Sequence, residues 1–80
     1  MIEKIRLDSP DEEYKIYPGD NEVIVIMCLE NQIKLYEMWS DRINAILDQY
    51  ETYTTSITQL RIKTDNQAGA TFLIVHYYRA

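Results

Sequence analysis

The spacing of hydrophobic residues changes along this chain, and each change marks an expected element. From Glu22 to Leu29 both strand faces are apolar, with Val23, Val25, Met27 and Leu29 alternating with Ile24, Ile26 and Cys28, the pattern of an interior β-strand. Between Asn31 and Tyr53 the steps lengthen. Tyr36, Trp39, Ile43, Ile46 and Tyr50 fall three and four residues apart, with Leu47 widening the stripe, which predicts an amphipathic helix. Lys34, Glu37, Asp41, Arg42, Asn44, Asp48 and Glu51 take its polar side, and no Gly or Pro interrupts it. Asn31 serves as the expected N-cap. Thr52, Thr54 and Thr55 are poor helix formers, so the helix is expected to stop near Tyr50. The same positions form a heptad, but one too short and too aromatic for a coiled-coil seam, and a Trp with two Tyr suits packing on a sheet.

The remaining segments read as strands and turns. Met1–Leu7 and Tyr14–Tyr17 are short strands, joined by a polar link from Asp8 to Glu13 with turn chemistry at Ser9-Pro10. Pro18-Gly19 predicts a type II turn within a loop of about four residues. Ser56–Lys63 alternates Thr58, Leu60 and Ile62 with Gln59, Arg61 and Lys63, as in an edge strand guarded by charge. Thr64–Gly69 reads as a hairpin loop, and Ala70–Arg79 as a central strand with Phe72, Ile74, His76 and Tyr78 opposite Thr71, Leu73, Val75 and Tyr77. These elements predict an α+β fold: one mostly antiparallel four-stranded sheet with a single long helix on one face, ordered strand, strand, helix, strand, strand, with room for an extra N-terminal strand. The expected sheet order is 56–63, 70–79, 22–29 and the N-terminal strand. The helix would make a right-handed crossover between 22–29 and 56–63.

That arrangement has a consequence for partners. One helix covers one face, yet the two central strands are apolar on both. Five or six uncovered side chains at about 1.5 to 3 kcal/mol each leave on the order of 10 kcal/mol unrealised, as much as a whole domain's stability. Residues 1–20, a second copy of the chain or another protein must cover them, and self-association as a homodimer is the expected solution.

Composition narrows the class. Eighty residues, 46% of them hydrophobic, make one folded domain (1–80), with an acidic N-terminal segment at 1–21 and a strand–helix–strand–strand core at 22–80. The single Cys28 forms no internal disulfide, and no apolar run has membrane length, so a soluble, cytoplasmic protein is expected. Residues 1–22 hold seven acids against three bases, a net of −4 out of the chain's −5. An acidic chain without a basic stripe is a poor ligand for phosphate backbones, so no direct nucleic-acid binding is expected.

Candidate chemistry is sparse. His76 is the only histidine, with Ile74 and Tyr78 on its strand face, and it reads as a core or interface residue with a satisfied hydrogen bond. Cys28 is positioned by the expected sheet to approach it, but an apolar strand raises a thiol pKa and makes a buried structural cysteine the better reading. One His and one Cys fall short of a zinc site, Asp11-Glu12-Glu13 and Asp20-Asn21-Glu22 lack calcium-loop spacing, and two glycines 50 residues apart make no phosphate loop. No catalytic, metal or cofactor site is predicted, and the chain is expected not to be an enzyme. Seven tyrosines form a high load. Tyr36 and Tyr50 are assigned to helix packing, while Tyr14, Tyr17, Tyr53 and Tyr77, with Asp11, Glu12 and Glu13, are the candidate partner-binding residues.

From Glu22 onward, the strand, the segment Arg42-Ile43-Asn44-Ala45-Ile46-Leu47, then Ile57 with Leu60-Arg61-Ile62, and the run Phe72-Leu73-Ile74-Val75-His76-Tyr77-Tyr78 resemble a family of very small sporulation-associated proteins of Gram-positive bacteria. The resemblance covers about two-thirds of the chain, leaves residues 1–21 outside it, and implies no activity and no functional residue. Two functions are therefore expected in order: a non-enzymatic protein–protein interaction module that self-associates through the uncovered sheet face or an edge strand, and an acidic inhibitor of phage or mobile-element type that occupies a basic nucleic-acid-binding surface of another protein.

Overall fold

Ile24, Ile26 and Cys28 all turn to one side of their strand and are fully buried there, as the alternation requires. What buries them is a second sheet. The computed structural model describes residues 1–56 and 58–79, and among these it is all β. The strands are β1 (Ile2–Leu7), β2 (Tyr14–Ile16), β3 (Glu22–Glu30), β4 (Ile33–Glu37), β5 (Ile43–Leu47), β6 (Thr52–Thr55), β7 (Leu60–Lys63) and β8 (Ala70–Tyr78). The first sheet has the order β1-β8-β3-β6 and the second β2-β7-β4-β5, every pair antiparallel.

The pairing has a simple logic. β4 pairs with β5, β3 with β6, β2 with β7 and β1 with β8. The chain is thus one long hairpin whose successive rungs alternate between two facing sheets. β3–β8 and β4–β7 contacts knit each sheet together. This nested, two-sheet arrangement of eight strands is the jelly-roll topology. The inner faces supply one core: Leu7, Ile24, Ile26, Cys28, Ala70, Phe72 and Ile74 from the first sheet and Ile16, Ile33, Leu35, Leu47, Leu60 and Ile62 from the second. Phe72 sits at its centre, with the Tyr14 ring edge-on at 5.9 Å between centroids.

The expected α+β fold is overturned, and with it the helix. Asn31–Tyr53 instead forms β4, a turn at 38–42, β5, a second turn at 48–51 and the start of β6. The stripe of Tyr36, Ile43 and Ile46 does share a face, but it is the outer face of the second sheet: Tyr36 lies opposite Ile43 and Lys34 opposite Ile46, with a bulge between. The buried residues are Ile33 and Leu35 in β4 and Leu47, with half-buried Ala45, in β5, a strand's period of two within each arm, while Met38 is buried from the turn. Trp39 and Tyr50 sit in the turns, 86% and 67% exposed. Asn31 is no cap. It adopts a left-handed φ of 64° and its Nδ2 donates to the Gly69 carbonyl at 2.8 Å, reversing the chain between sheets. Long-range pairing of β4 with β7 and β3 with β6 outweighs a local helical pattern, which β-branched Ile33, Ile43 and Ile46 support only weakly.

The expected sheet order also changes. β3 does lie antiparallel beside β8 and is interior. β7, however, is an interior strand of the other sheet and not an edge, because Tyr14–Ile16 and β4 flank it; the portion of the predicted Ser56–Lys63 strand at Ile57 lies outside the described residues. The N-terminal strand pairs with β8 and not with β3. Thr64–Gly69 crosses between sheets, and the left-handed residue after Pro18-Gly19 is Asn21, at φ 61°, closed by a hydrogen bond from the Glu22 amide to the Gly19 carbonyl at 3.1 Å.

Candidate functional site

The second sheet covers only the inner face of the first, so the outer face of β1-β8-β3-β6 remains open. Cross-strand register makes it a ladder. Ile2 is opposite Val75, which is opposite Val25; Leu73 is opposite Met27; Tyr77 is opposite Val23. Val25, Met27, Leu73 and Val75 are half-buried, while Ile2 and Tyr77 at the same end are 69% and 47% exposed. Lys4, Arg6, Thr71, Thr52 and Thr54 frame the patch by the same register. Arg6 is tied down by Glu30 at 2.9 Å, Thr71 at 3.1 Å and the Ala68 carbonyl.

The outer face of β2-β7-β4-β5 is different in kind. The register aligns Lys15, Arg61, Tyr36 and Ile43 in one row and Lys63, Lys34 and Ile46 in the next. The Arg61 guanidinium lies 5.5 Å from the Tyr36 ring centroid, donates from Nε to the Glu37 carbonyl at 3.0 Å and from Nη2 to the Ser40 carbonyl, and bonds Glu13 at 3.0 Å. Lys34 pairs with Asp65, whose carboxylate holds the ammonium pKa up. The turn that Arg61 grips is closed further by the Glu37 amide donating to the Arg42 carbonyl at 2.9 Å and by the Ser40 hydroxyl donating to Glu37 Oε2 at 2.8 Å. Met38 plugs the core from this turn and Trp39 projects from it into solvent. Beside the indole is a cleft of about 380 Å³ between Glu37, Met38, Trp39 and Ser40 and the β6–β7 connection at Thr58 and Gln59. A second hollow, about 350 Å³, adjoins it at Asp41 and Arg61.

The strand directions gather the loops after β1, β3, β5 and β7 at the opposite end of the sandwich. That end holds Asp8, Asp11, Glu12, Glu30, Asp48, Glu51 and Asp65. Asp11 and Glu12 are exposed, and Glu12 accepts from the Asp8 amide at 2.9 Å. Glu13 points the other way, to Arg61.

The tyrosines separate. Tyr14 packs inward and its hydroxyl donates to Glu3 Oε2 at 3.2 Å; burial first, then that carboxylate, push its pKa up. Tyr53 packs against the core from β6. Tyr17 is exposed in the β2–β3 loop and Tyr77 on the open sheet face. The structure therefore does not bring Tyr14, Tyr17, Tyr53, Tyr77, Asp11, Glu12 and Glu13 onto one surface. Sequence reasoning missed Trp39, whose signal was the turn-forming pair Ser40-Asp41 directly after it.

His76 and Cys28 do not form a pair. His76 is opposite Ile24 and Cys28 opposite Phe72, so four residues of strand, about 13 Å, separate them. His76 Nδ1 lies 3.2 Å from Glu22 Oε2, while its Nε2 is buried with no partner among the described residues, so the expected satisfied histidine is half satisfied. Glu22 also accepts from the Gly19 amide at 3.0 Å; that bond, ahead of the His76 contact, lowers its pKa. The Cys28 thiol donates to the Asn31 carbonyl at 3.0 Å, and burial raises its pKa. Among the described residues no three His, Cys, Asp or Glu side chains gather as metal ligands, and no helix is long and apolar enough to cross a membrane.

Comparison with protein-family models, with curated proteins and with solved structures finds no match to this chain.

Proposed function

We propose that this chain is a small, non-enzymatic protein–protein interaction module of the cytoplasm that self-associates through the outer face of β1-β8-β3-β6. The observation that carries the reading is the apolar ladder of Ile2, Val75 and Val25 beside Leu73 and Met27, left open after the second sheet has filled the interior. Four strands about 4.8 Å apart and about 13 to 31 Å long present roughly 450 Å² per partner. That is below the roughly 800 Å² of a standard interface, so the dimer is weak, with a dissociation constant of micromolar order or above. Sedimentation velocity across a range from low to several hundred micromolar tests it. A concentration-dependent dimer that Val75→Lys abolishes, with the far-UV spectrum retained, is expected. A monomer at every concentration overturns the reading.

A second reading is supported by the exposed Asp11 and Glu12 at the acidic end of the sandwich: an inhibitor that occupies a basic nucleic-acid-binding surface of another protein. Its binding would fall steeply with salt. Capture from host lysate that survives Asp11→Lys with Glu12→Lys, or that is indifferent to salt, rules it out.

A further inference from the structure

We propose that the cleft beside Trp39 binds a neutral, equatorially substituted sugar chain, of the β-1,4-linked glucose or N-acetylglucosamine type. The starting point is an energetic oddity. Trp39 is the chain's only tryptophan and stands 86% exposed on a turn whose other members are fully occupied. Arg61 bonds the carbonyls on either side of it, Ser40 bonds Glu37 and the Arg42 amide, and Met38 is sunk in the core. None of those contacts uses the indole. The turn would close equally well around a polar residue, so the ring is an apolar surface held out in solvent on a fixed turn and left for something else.

The surroundings select what that is. The cleft is lined by the Trp39 ring and the Met38 side chain, with a carboxylate (Glu37), an amide (Gln59) and two hydroxyls (Ser40, Thr58) around them. A wholly apolar ligand would strip water from Glu37, Gln59 and Thr58 and give nothing back. An anion would meet Glu37 and, next to it, Asp41, while the nearby cation Arg61 is already shared among Glu13, Asp41 and two carbonyls and Arg42 lies against Glu37. A polyol with one flat C–H face satisfies both demands: the face stacks on the indole, and the ring-edge hydroxyls donate to Glu37 Oε1 and exchange hydrogen bonds with Gln59 and Thr58. Full equatorial substitution leaves both ring faces flat, so a β-1,4 chain, whose successive residues turn over, keeps presenting an apolar face to the indole. About 380 Å³ is at the small end of ligand sites. The second hollow of about 350 Å³ shares Met38, Trp39 and Ser40 with the first, so an extended β-1,4 chain has room to continue past the ring.

Trp39 fluorescence reads the site directly, since no other indole contributes. The whole chain is titrated with cellohexaose, chitohexaose, maltohexaose, an oligogalacturonate and an unrelated decapeptide, in parallel with calorimetry. A saturable blue shift with cellohexaose or chitohexaose is expected, at a dissociation constant of about 0.1 to 1 mM for a site this shallow. Trp39→Ala, followed by calorimetry, should weaken it at least about tenfold, the loss of one stacked ring. Gln59→Ala should weaken it about threefold or more, and Asp11→Lys at the far end should leave it unchanged. Either no response to both β-1,4 chains at about 10 mM, or preference for maltohexaose, the oligogalacturonate or the peptide, or binding unaltered in Trp39→Ala, overturns the proposal. Retention of the far-UV spectrum in Trp39→Ala separates lost binding from lost fold. The cleft lies outside the sheet face of the dimer reading, and the two tests fail independently.

Discussion

Alanine at Gly69 should nearly unfold this protein, while alanine at the chain's other glycine should not. Gly69 has a φ of 84°, and a Cβ built on it would lie 2.1 Å from the Leu7 carbonyl oxygen and 3.1 Å from the Asp8 carbonyl carbon. Both obstacles are backbone. The left-handed conformation costs a residue with a Cβ about 1 to 2 kcal/mol. Opening a gap of more than an ångström where β1 meets β8 resembles overpacking a core, about 1 to 3 kcal/mol more. The move also strains the bond from Asn31 Nδ2 to the Gly69 carbonyl. A total of roughly 2 to 5 kcal/mol stands against the roughly 4 to 12 kcal/mol available to a domain of this length. At Gly19 nothing lies within 4 Å of the added Cβ, so Gly19→Ala should be neutral or stabilise by up to about 1 kcal/mol through the unfolded state. Urea unfolding followed by far-UV circular dichroism measures both. Trp39 is unsuitable as the probe because it is solvated before and after. With a slope near 1 kcal/mol per molar urea, Gly69→Ala should lose roughly 2 M or more of midpoint, or be unfolded without denaturant. A midpoint within about 1 M of the parent, or equal losses at both glycines, would refute the close approach of β8's entry to β1.

Three further outcomes follow from particular contacts. Phe72→Ala removes the fully buried ring at the junction of the sheets and its edge contact with Tyr14, and should cost about 3 to 5 kcal/mol in the same urea assay; a loss under about 1 kcal/mol would mean the sheets are not packed face to face. Cys28, fully buried with its pKa raised and its thiol bonded to Asn31, should react with a thiol reagent only as fast as the protein opens; full labelling of the native protein within seconds would contradict that burial. Glu22 has its folded pKa below the ordinary 4.5, so its stabilising effect is complete above that value and is lost as pH falls below it through the folded pKa. Glu22→Gln should therefore be less stable than the parent near neutrality and converge with it in acid, as the pH falls below 4.5 through the lowered folded pKa; a constant difference at all pH values would rule out the linkage.

Much of the strand content was legible because it rests on a local rule. The alternation at 22–29 and 70–79 marked the two central strands of the first sheet and even their antiparallel contact, since only strands apolar on both sides belong in the interior. The alternation puts Leu60 and Ile62 on one side and Arg61 and Lys63 on the other, as found, and only the structure shows that the first pair is buried. The segment 31–53 was misread because two five-residue strands, a bulge and two turns imitate helical spacing, and because nothing local says that Tyr36, Ile43 and Ile46 face solvent. The sites followed the same division. Exposed acids at 11 and 12 were visible in the composition, whereas the Trp39 platform was hidden, since its presentation depends on Arg61, 22 residues further on, gripping the turn.

By itself, then, the order of amino acids determined which side of each strong strand is greasy, where the turns carry Asn, Asp and Gly, and where negative charge collects. Only the tertiary structure decided which strand lies beside which, that a second sheet and not a helix fills the interior, and that one apolar face and one tryptophan remain open. The reason is physical. A side chain's preference for burial is local, but the partner that buries it is chosen by pairing across as much as the whole chain, as between β1 and β8, and strand pairing of that reach leaves no periodic trace in the residues that make it.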